Sequence, residues 1–231
     1  MTEALPRPPA DATERRIKVA ADVEVSGLLL EPARPRALYV LAHGAGAGMR
    51  HAFMDSIAHR LAARGIATLR YQFPYAENRG RRIDPEPVLL ETVRAAVEAG
   101  REAANGLPLL AGGKSMGGRM TSRAAAAEPL TGVAGLVFLG FPLHPAGQPA
   151  ILRADHLARV EPPMLFLQGT RDALADLGLL TPVIEGLPRA TLKIIDGADH
   201  SFHVLKRSGR TDDQVLDELG DAVAQWQGGL A

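Results

Sequence analysis

Apolar positions divide this chain into short continuous runs and longer amphipathic segments that alternate with one another. The short runs are bounded by glycine, proline or polar residues, which predicts buried strands; they are residues 37–43, 66–73, 107–112, 136–141, 164–169 and 190–196. The longer segments carry apolar residues three or four positions apart, which predicts helices; they are residues 51–64, 86–104, 115–127, 174–187 and 212–227. Two further strands are predicted near the start, at residues 17–20 and 24–30.

The order of these elements predicts the fold class. After the first two strands, strand and helix alternate five times, and parallel strands joined by helical crossovers produce this order. We therefore predict an α/β fold whose central sheet is mostly parallel, with helices on both faces. The chain has 231 residues, of which 46% are hydrophobic, so it can bury one sizeable core. Residues 15–231 are predicted to form a single domain, and residues 1–14, rich in proline, alanine and charge, a flexible tail.

The composition argues against several classes of function. The absence of cysteine rules out a disulfide framework, a cysteine nucleophile and thiolate metal sites, and it favours a cytoplasmic location. The formal net charge is zero, which gives no electrostatic argument for binding nucleic acid or an anionic membrane. No stretch approaches the roughly 20 apolar residues that span a bilayer, and the N-terminus lacks the apolar core of a signal peptide. We expect neither a cofactor nor a metal ion.

A candidate nucleophile lies between a predicted strand and the helix that follows it. Residues 113–117 read Gly-Lys-Ser-Met-Gly and match G-x-S-x-G, with Ser115 at the centre. In a sharp strand-to-helix turn this motif lifts the serine hydroxyl above the edge of the sheet, and the flanking glycines avoid a collision across the turn. The pentapeptide alone also fits an ordinary serine N-cap. Its place between strand and helix favours the nucleophile.

Two other interpretations of the glycine-rich segments are excluded because the spacing of their residues does not match the motifs. Gly113-Lys114-Ser115 suggests a phosphate-binding loop, but that motif needs a glycine five residues earlier, where Pro108 stands. The segment GAGAG at 44–48 suggests a dinucleotide-binding turn, but Met49 occupies the place of its third glycine. No acidic residue for a ribose hydroxyl follows about 20 residues later, at 64–70.

The acid and the base that would activate Ser115 should follow it in that order along the chain. His200 lies just past the last predicted strand and is the favoured base, with His203 as its rival. Asp172 follows the preceding strand and is the favoured acid, although an aspartate before Ala-Leu-Ala is also a good helix N-cap. The alternatives for the acid are Asp176 and Asp199.

Backbone amides that could bind an oxyanion are predicted at two places. The amide of Met116 lies at the start of the helix after Ser115, and an amide near Ala45 lies in the small-residue loop 43–48. The same loop makes Gly44 a candidate substrate contact, whereas His43 is predicted to be a hydrogen-bonded anchor of the loop. Arg82, with Arg79 and Arg81, could bind an acidic substrate through paired hydrogen bonds, or could form an ordinary solvated loop.

Five segments in this order resemble a known family: AHGAGAGMRHAFM, YQFPY with GRR, GGKSMGGRM, QGTRDAL and GADHSF. Over about residues 37–206 they are similar to the small, cap-less α/β-hydrolase-like proteins, predicted hydrolases related to dienelactone hydrolases. The resemblance implies an α/β-hydrolase fold, a triad carried to Ser115, Asp172 and His200, and an oxyanion loop at 43–48. Dienelactone hydrolases proper use a cysteine nucleophile, so their activity is not expected of this cysteine-free chain.

The favoured function is a serine hydrolase acting on a small or medium ester, thioester or similar acyl substrate. Only about 22 residues, 141–162, separate the strands between which large caps are normally inserted, so we expect an open site with little lid. No partner other than a small acyl substrate is predicted. The alternative is a non-catalytic scaffold or binding protein that retains the fold. A peptidase is a weaker third hypothesis.

Overall fold

The computed structural model describes residues 12–80 and 82–230 of the chain. Most of the predicted tail, residues 1–11, lies outside the described residues, as does Arg81. The first strand already begins at Thr13, so residues 13 and 14, which the sequence prediction assigns to the tail, belong to the sheet.

The described residues form one eight-stranded sheet with the order β1-β2-β4-β3-β5-β6-β7-β8. The strands are β1 Thr13–Ala20, β2 Val23–Leu30, β3 Ala37–Ala42, β4 Ile66–Tyr71, β5 Leu109–Lys114, β6 Val133–Leu139, β7 Met164–Gly169 and β8 Ala190–Ile195. β1 pairs antiparallel with β2, and β2 antiparallel with β4, whereas all pairs from β4 to β8 are parallel. The predicted α/β fold with a mostly parallel sheet is therefore confirmed.

Helices cover both faces of this sheet. They are α1 Ala52–Ala63, α2 Pro74–Glu77, α3 Glu86–Ala104, α4 Met116–Ala127, α5 Leu177–Glu185 and α6 Asp212–Gly228. Helices α1 and α6 contribute to the core on one face, and α3, α4 and α5 to the core on the other. Successive strand residues point to opposite faces: in β3, Val40 joins the α3/α4 core and Tyr39 and Leu41 join the α1/α6 core. This is why the central strands are apolar at nearly every position.

Two connections differ from the sequence prediction. The segment after β4, predicted as a loop, begins with the short helix α2, whose first residue is a proline, as suits that position. Helix α5 begins at Leu177 rather than at 174, because the Asp176 side chain accepts the backbone N–H of Gly178 at 2.7 Å and caps the helix there.

The connection from β6 to β7 contains two 3-10 turns, Leu152–Ala154 and Leu157–Arg159, and no inserted domain. The segments that carry the candidate chemistry follow β3, β5, β7 and β8, so they meet at the carboxyl edge of the parallel strands, where α/β sheets bind ligands. Among the helices of the described residues, none combines the length and the apolar character needed to traverse a bilayer.

Candidate active site

Ser115 occupies a strained turn between β5 and α4. Its backbone has φ 51° and ψ −118°, a region that residues with a side chain rarely adopt. The Ser115 N–H donates to the carbonyl of Leu139 at 3.1 Å, which ties the turn to the end of β6. Such strain persists only where the surrounding structure enforces it, and it is common at functional positions.

The glycines of the motif are required by close packing under the turn. A Cβ on Gly113 would lie 2.3 Å from the carbonyl oxygen of Ala42, and φ at Gly113 is +153°. A Cβ on Gly117 would lie 2.5 Å from the carbonyl oxygen of His43. Both contacts are with the backbone at the end of β3, which cannot move aside cheaply. The glycines therefore let the Ser115 turn sit directly on the loop that follows β3.

The structure brings Ser115, His200 and Asp172 into one hydrogen-bonded chain. The Ser115 Oγ lies 2.8 Å from His200 Nε2, and His200 Nδ1 lies 2.7 Å from Asp172 Oδ2. Because the carboxylate can only accept, His200 Nδ1 carries the proton and Nε2 accepts from the serine hydroxyl. The three side chains come from the ends of β5, β7 and β8, so the sheet sets their separation.

Asp172 is buried, with 6% of its surface exposed, and both of its oxygens are engaged. Oδ2 also accepts from Gln168 Nε2 at 2.6 Å, and Oδ1 accepts from the backbone N–H of Leu174 at 2.8 Å. These contacts hold the carboxylate in one orientation toward the imidazole.

The alternative acids and the alternative base are engaged elsewhere. Asp176 caps α5, and Asp199 Oδ1 accepts from the backbone N–H of Ser201 and of His203. The exposed His203 pairs through Nδ1 with Asp212. Of these candidates, His200 is the one in contact with Ser115, and Asp172 is the one in contact with His200.

The predicted oxyanion donors flank Ser115. Met116 is the first residue of α4, where backbone N–H groups lack partners within the helix. Ala45 follows Gly44, whose Cα packs against the end of β5: a Cβ there would lie 3.6 Å from Ser115 Cβ. Within residues 12–80 and 82–230, no hydrogen-bond acceptor pairs with the N–H of Ala45 or of Met116. Both remain predicted donors for an oxygen that becomes negative next to Ser115.

His43 anchors the loop that carries Ala45. Its Nδ1–H donates to the carbonyl of Gly44 at 2.8 Å, and its Nε2 accepts the N–H of Phe73 at 3.2 Å. Burial lowers the pKa of His43, which favours the neutral ring that this pattern requires. Both nitrogens are thus occupied, in keeping with the anchoring role that the sequence suggested.

Lys114 contacts the loop that carries His200, a role that the sequence did not reveal. Its Nζ donates to the carbonyl of His200 at 2.6 Å and lies over the rings of Phe53 and Phe202, 5.9 and 5.5 Å from their centroids. Burial lowers the pKa of Lys114 to about 8, partly opposed by the charges of Asp172 and Asp199.

Two cavities open on either side of Ser115. The first, of about 330 Å³, is lined on the His200 side by that ring, Ser201 and the apolar Phe53 and Met54, and it also includes Gly44. The second, of about 360 Å³, extends past Met116 toward the start of α3 and the β6–β7 connection. Ala45, Ser115 and Leu174 line both cavities, so Ser115 borders each of them.

The arginines at this site are not those that the sequence suggested. Arg82 is exposed and lines neither cavity, so the structure does not bring it together with Ser115. Arg79 is exposed as well, and Arg81 lies outside the described residues. Instead Arg119 and Arg153 line the second cavity. Arg119 is one helical turn after Ser115, a spacing that could have identified it, whereas nothing local marks Arg153.

A second serine–histidine contact lies beneath the surface. Ser122 Oγ and His156 Nε2 are 2.7 Å apart and join α4 to the β6–β7 connection. The two residues are 0% and 3% exposed, and His156 Nδ1 has no hydrogen-bond partner among the described residues. Burial, followed by the charges of Arg123 and Arg119, lowers the pKa of His156 to about 4. No carboxylate backs this ring, and neither residue lines the cavities at Ser115.

The candidate metal ligands of residues 12–80 and 82–230 do not cluster. No group of three or more histidine or acidic residues is close enough together there to hold an ion.

Two curated proteins of Mycobacterium tuberculosis, from strains CDC 1551 / Oshkosh and ATCC 25618 / H37Rv, are 31% identical to this chain over 230 residues. Each is named "Putative phosphoribosyl transferase". The match covers 97% of this chain but 48% of each relative, so the chain spans about half the length of the curated relatives it matches.

Solved structures of similar shape include a serine hydrolase without lid from Xanthomonas campestris, with TM-score 0.73, 22% identity, and coverage of 94% of this chain and 96% of that one. A dienelactone hydrolase from Anabaena variabilis has TM-score 0.72, 22% identity, and coverage of 95% and 97%. Est1E from Butyrivibrio proteoclasticus has TM-score 0.70, 17% identity, and coverage of 96% and 99%. These likenesses concern the fold. The Alpha/beta hydrolase domain family matches residues 35–228, and the chain belongs to that family, as its resemblance to cap-less members predicted.

Proposed function

We propose that this protein is a serine hydrolase that cleaves a small or medium ester, thioester or similar acyl substrate through a covalent acyl-enzyme on Ser115. The observation that carries the proposal is the hydrogen-bonded chain from Ser115 Oγ through His200 to Asp172, placed at a strained turn between two cavities. A serine hydroxyl is a weak nucleophile until a neighbouring base takes its proton. His200 Nε2 is within reach to do so at 2.8 Å.

The first half-reaction forms the acyl-enzyme. As Ser115 Oγ attacks the carbonyl carbon, its proton passes to His200 Nε2, and the carbonyl oxygen becomes negative. The N–H groups of Ala45 and Met116 would bind that oxygen, and the buried Asp172 carboxylate would stabilise the imidazolium. His200 then gives the proton to the leaving oxygen or sulfur, and the bond from the carbonyl carbon to the leaving group breaks.

The second half-reaction restores the enzyme. Water takes the place of the leaving group and loses a proton to His200 as it attacks the acyl carbon. Collapse of the second tetrahedral intermediate releases the carboxylic acid and returns the proton to Ser115 Oγ.

The access to Ser115 supports a substrate of modest size. The β6–β7 connection carries two 3-10 turns and no cap, and the two cavities are about 330 and 360 Å³. Clefts of this size fit small ligands. We propose no transferase activity from the name of the Mycobacterium relatives, because the chain spans about half of their length. A cytoplasmic location is proposed only from the cysteine-free composition, and cell fractionation would test it.

Labelling by a fluorophosphonate probe, which reacts with an activated serine, tests the proposal. The wild-type protein should be labelled, and Ser115→Ala should not. Ser122→Ala is the matched control, because it removes the other serine hydroxyl that contacts a histidine. It should keep the label.

Labelling that persists in Ser115→Ala, or that disappears in Ser122→Ala with the fold intact by circular dichroism, would contradict the assignment of the nucleophile. No labelling of the wild type, together with no cleavage of 4-nitrophenyl esters, would favour a non-catalytic protein that keeps the fold.

A further inference from the structure

Two arginines line the cavity beside Ser115 and have no hydrogen-bonded or ion-paired partner among the described residues. Arg119, on α4, and Arg153, on the first 3-10 turn of the β6–β7 connection, are half-buried and line the second cavity. Neither guanidinium has a hydrogen bond or an ion pair within residues 12–80 and 82–230. Every other half-buried arginine of that part of the chain pairs with a carboxylate; these are Arg60, Arg64, Arg94, Arg123 and Arg210.

The acidic residues of the same cavity do not neutralise this pair. Asp84 Oδ2 accepts the backbone N–H of Tyr75 at 2.8 Å, and Glu86 Oε1 pairs with Arg123 at 2.7 Å. Glu86 acts on Arg119 only as a charge at a distance, and it is opposed by Arg153 and Arg123. Burial, followed by the charges of Arg153 and Arg123, lowers the pKa of Arg119. Two partly desolvated cations that repel each other favour an anion from outside the chain.

The position of His200 indicates which part of a substrate would enter this cavity. The leaving group must lie next to His200 Nε2, because that nitrogen protonates it. His200 lines the first cavity, whose other walls include Phe53 and Met54, and it does not line the second. The leaving group therefore belongs in the first cavity and the acyl chain in the second, next to Arg119 and Arg153.

We infer, on the basis of the proposed hydrolase function, that the preferred substrates carry a carboxylate on the acyl group, as in a monoester of a dicarboxylic acid, and that Arg119 and Arg153 bind it. Guanidinium groups bind carboxylates through paired, charge-assisted hydrogen bonds. This subsite lies elsewhere than the Arg79–Arg82 loop that the sequence suggested, although arginine would bind an acidic group of the substrate in both.

The experiment compares two 4-nitrophenyl esters that differ only in charge: the monoester of glutaric acid and its methyl-capped, neutral counterpart. Wild-type kcat/KM should be about tenfold or more higher for the charged ester, which is the range expected for a charge-assisted contact. Arg119→Gln and Arg153→Gln should each lower the ratio of the two kcat/KM values toward one, because only the charged ester loses a partner for its carboxylate.

The matched control is Arg159→Gln, which removes the same charge from the same connection but from an exposed residue that lines neither cavity. It should keep the preference. The neutral ester reports folding and the Ser115 chemistry in every variant, so a variant that fails to fold is recognised by loss of both rates. Arg119→Lys and Arg153→Lys keep the charge but lose the paired geometry and should retain part of the preference.

Several outcomes would overturn the inference. One is cleavage of the neutral ester as fast as the charged one by wild type; another is a preference that survives in both arginine variants. If Arg82→Gln instead loses the preference for the charged ester, the anion site lies in the Arg79–Arg82 loop. Failure of the proposed function looks different, because then neither ester is cleaved and the fluorophosphonate probe does not react.

Discussion

Two serine–histidine hydrogen bonds of nearly equal length lie within the described part of the chain, and their surroundings differ. Ser115 and His200 meet at 2.8 Å in a strained turn that opens on two cavities, and Asp172 stands behind the ring. Ser122 and His156 meet at 2.7 Å in the interior, and Nδ1 of that ring has no partner within residues 12–80 and 82–230. A serine–histidine contact is therefore not enough to make a serine nucleophilic. A carboxylate, access for substrate and amides for the oxyanion are needed as well.

The largest expected effect separates the two histidines. His200→Ala should lower kcat on an activated ester by about 10⁶-fold, the scale on which loss of a triad base acts in serine hydrolases. His156→Ala should leave kcat within about a few fold, because that ring lines neither cavity at Ser115. Steady-state kinetics on 4-nitrophenyl acetate measure both. If both variants are folded and lose kcat equally, His200 and His156 do not differ in their roles as the structure suggests.

Asp172→Asn tests how much the carboxylate behind His200 contributes to the difference between the two serine–histidine contacts. The amide cannot hold His200 in the tautomer whose Nε2 accepts from Ser115, so kcat should fall by about 10⁴-fold. The His156 ring already lacks a carboxylate, so it offers no analogous substitution. Asp176→Asn, at the cap of α5, is the control and should change kcat little. A small effect at Asp172 would indicate that His200 is oriented by other contacts.

Lys114 makes the stability of the Ser115 region depend on pH. In the folded protein its pKa is lowered to about 8, below the ordinary 10.5, so between these values the unfolded chain binds more protons. The free energy of unfolding should therefore rise with pH across this interval, by about 3 kcal/mol in total, and the cost of the buried charge should be fully present below pH 8.

Lys114→Met removes this dependence while keeping much of the packing. Urea unfolding at pH 7.5 and at pH 9.5 measures the free energy of unfolding of both proteins. Relative to the variant, wild type should be more stable at pH 9.5 than at pH 7.5. A difference that does not change with pH would mean that Lys114 titrates as an ordinary lysine.

The smallest expected effect concerns stability at the two serines. Ser122→Ala leaves His156 Nε2 buried without its partner and should lower the free energy of unfolding by about 1–2 kcal/mol. Ser115→Gly should raise it by about 1 kcal/mol, because glycine relieves the backbone strain at φ 51°. Chemical denaturation of both variants compares them. Opposite signs are the expected result, and equal destabilisation would argue against stored strain at Ser115.

Most of the fold could be predicted because the information is local. Helix α3 and strand β7 begin and end where the apolar pattern begins and ends. The errors lie where a tertiary contact moves a boundary: β5 runs to Lys114 rather than 112, since residues up to Gly113 pair with β3 and residues up to Lys114 pair with β6. The short α2 was missed because one turn of helix carries no periodicity.

The candidate site could be predicted in part for the same reason. Ser115 belongs to a motif of neighbouring residues, and His200 and Asp172 follow strands, so position along the chain was enough to select three side chains that the structure joins by hydrogen bonds. Arg153 could not be found this way, since it comes from a connection that shows no pattern. The suggestion of Arg82 rested on charge in sequence alone, and the structure places that residue away from both cavities.

By itself, the order of residues determined the layered α/β architecture, the strand edge that carries the chemistry and the serine at its strained turn. These follow from periodicity and from the small residues that a tight turn demands, which are properties of neighbours along the chain. The packing of distant segments established which histidine reaches Ser115, which serine–histidine contact is buried, and which arginines line the cavity. Those outcomes depend on distances between segments far apart in sequence, which packing of the whole sheet sets and which no local pattern encodes.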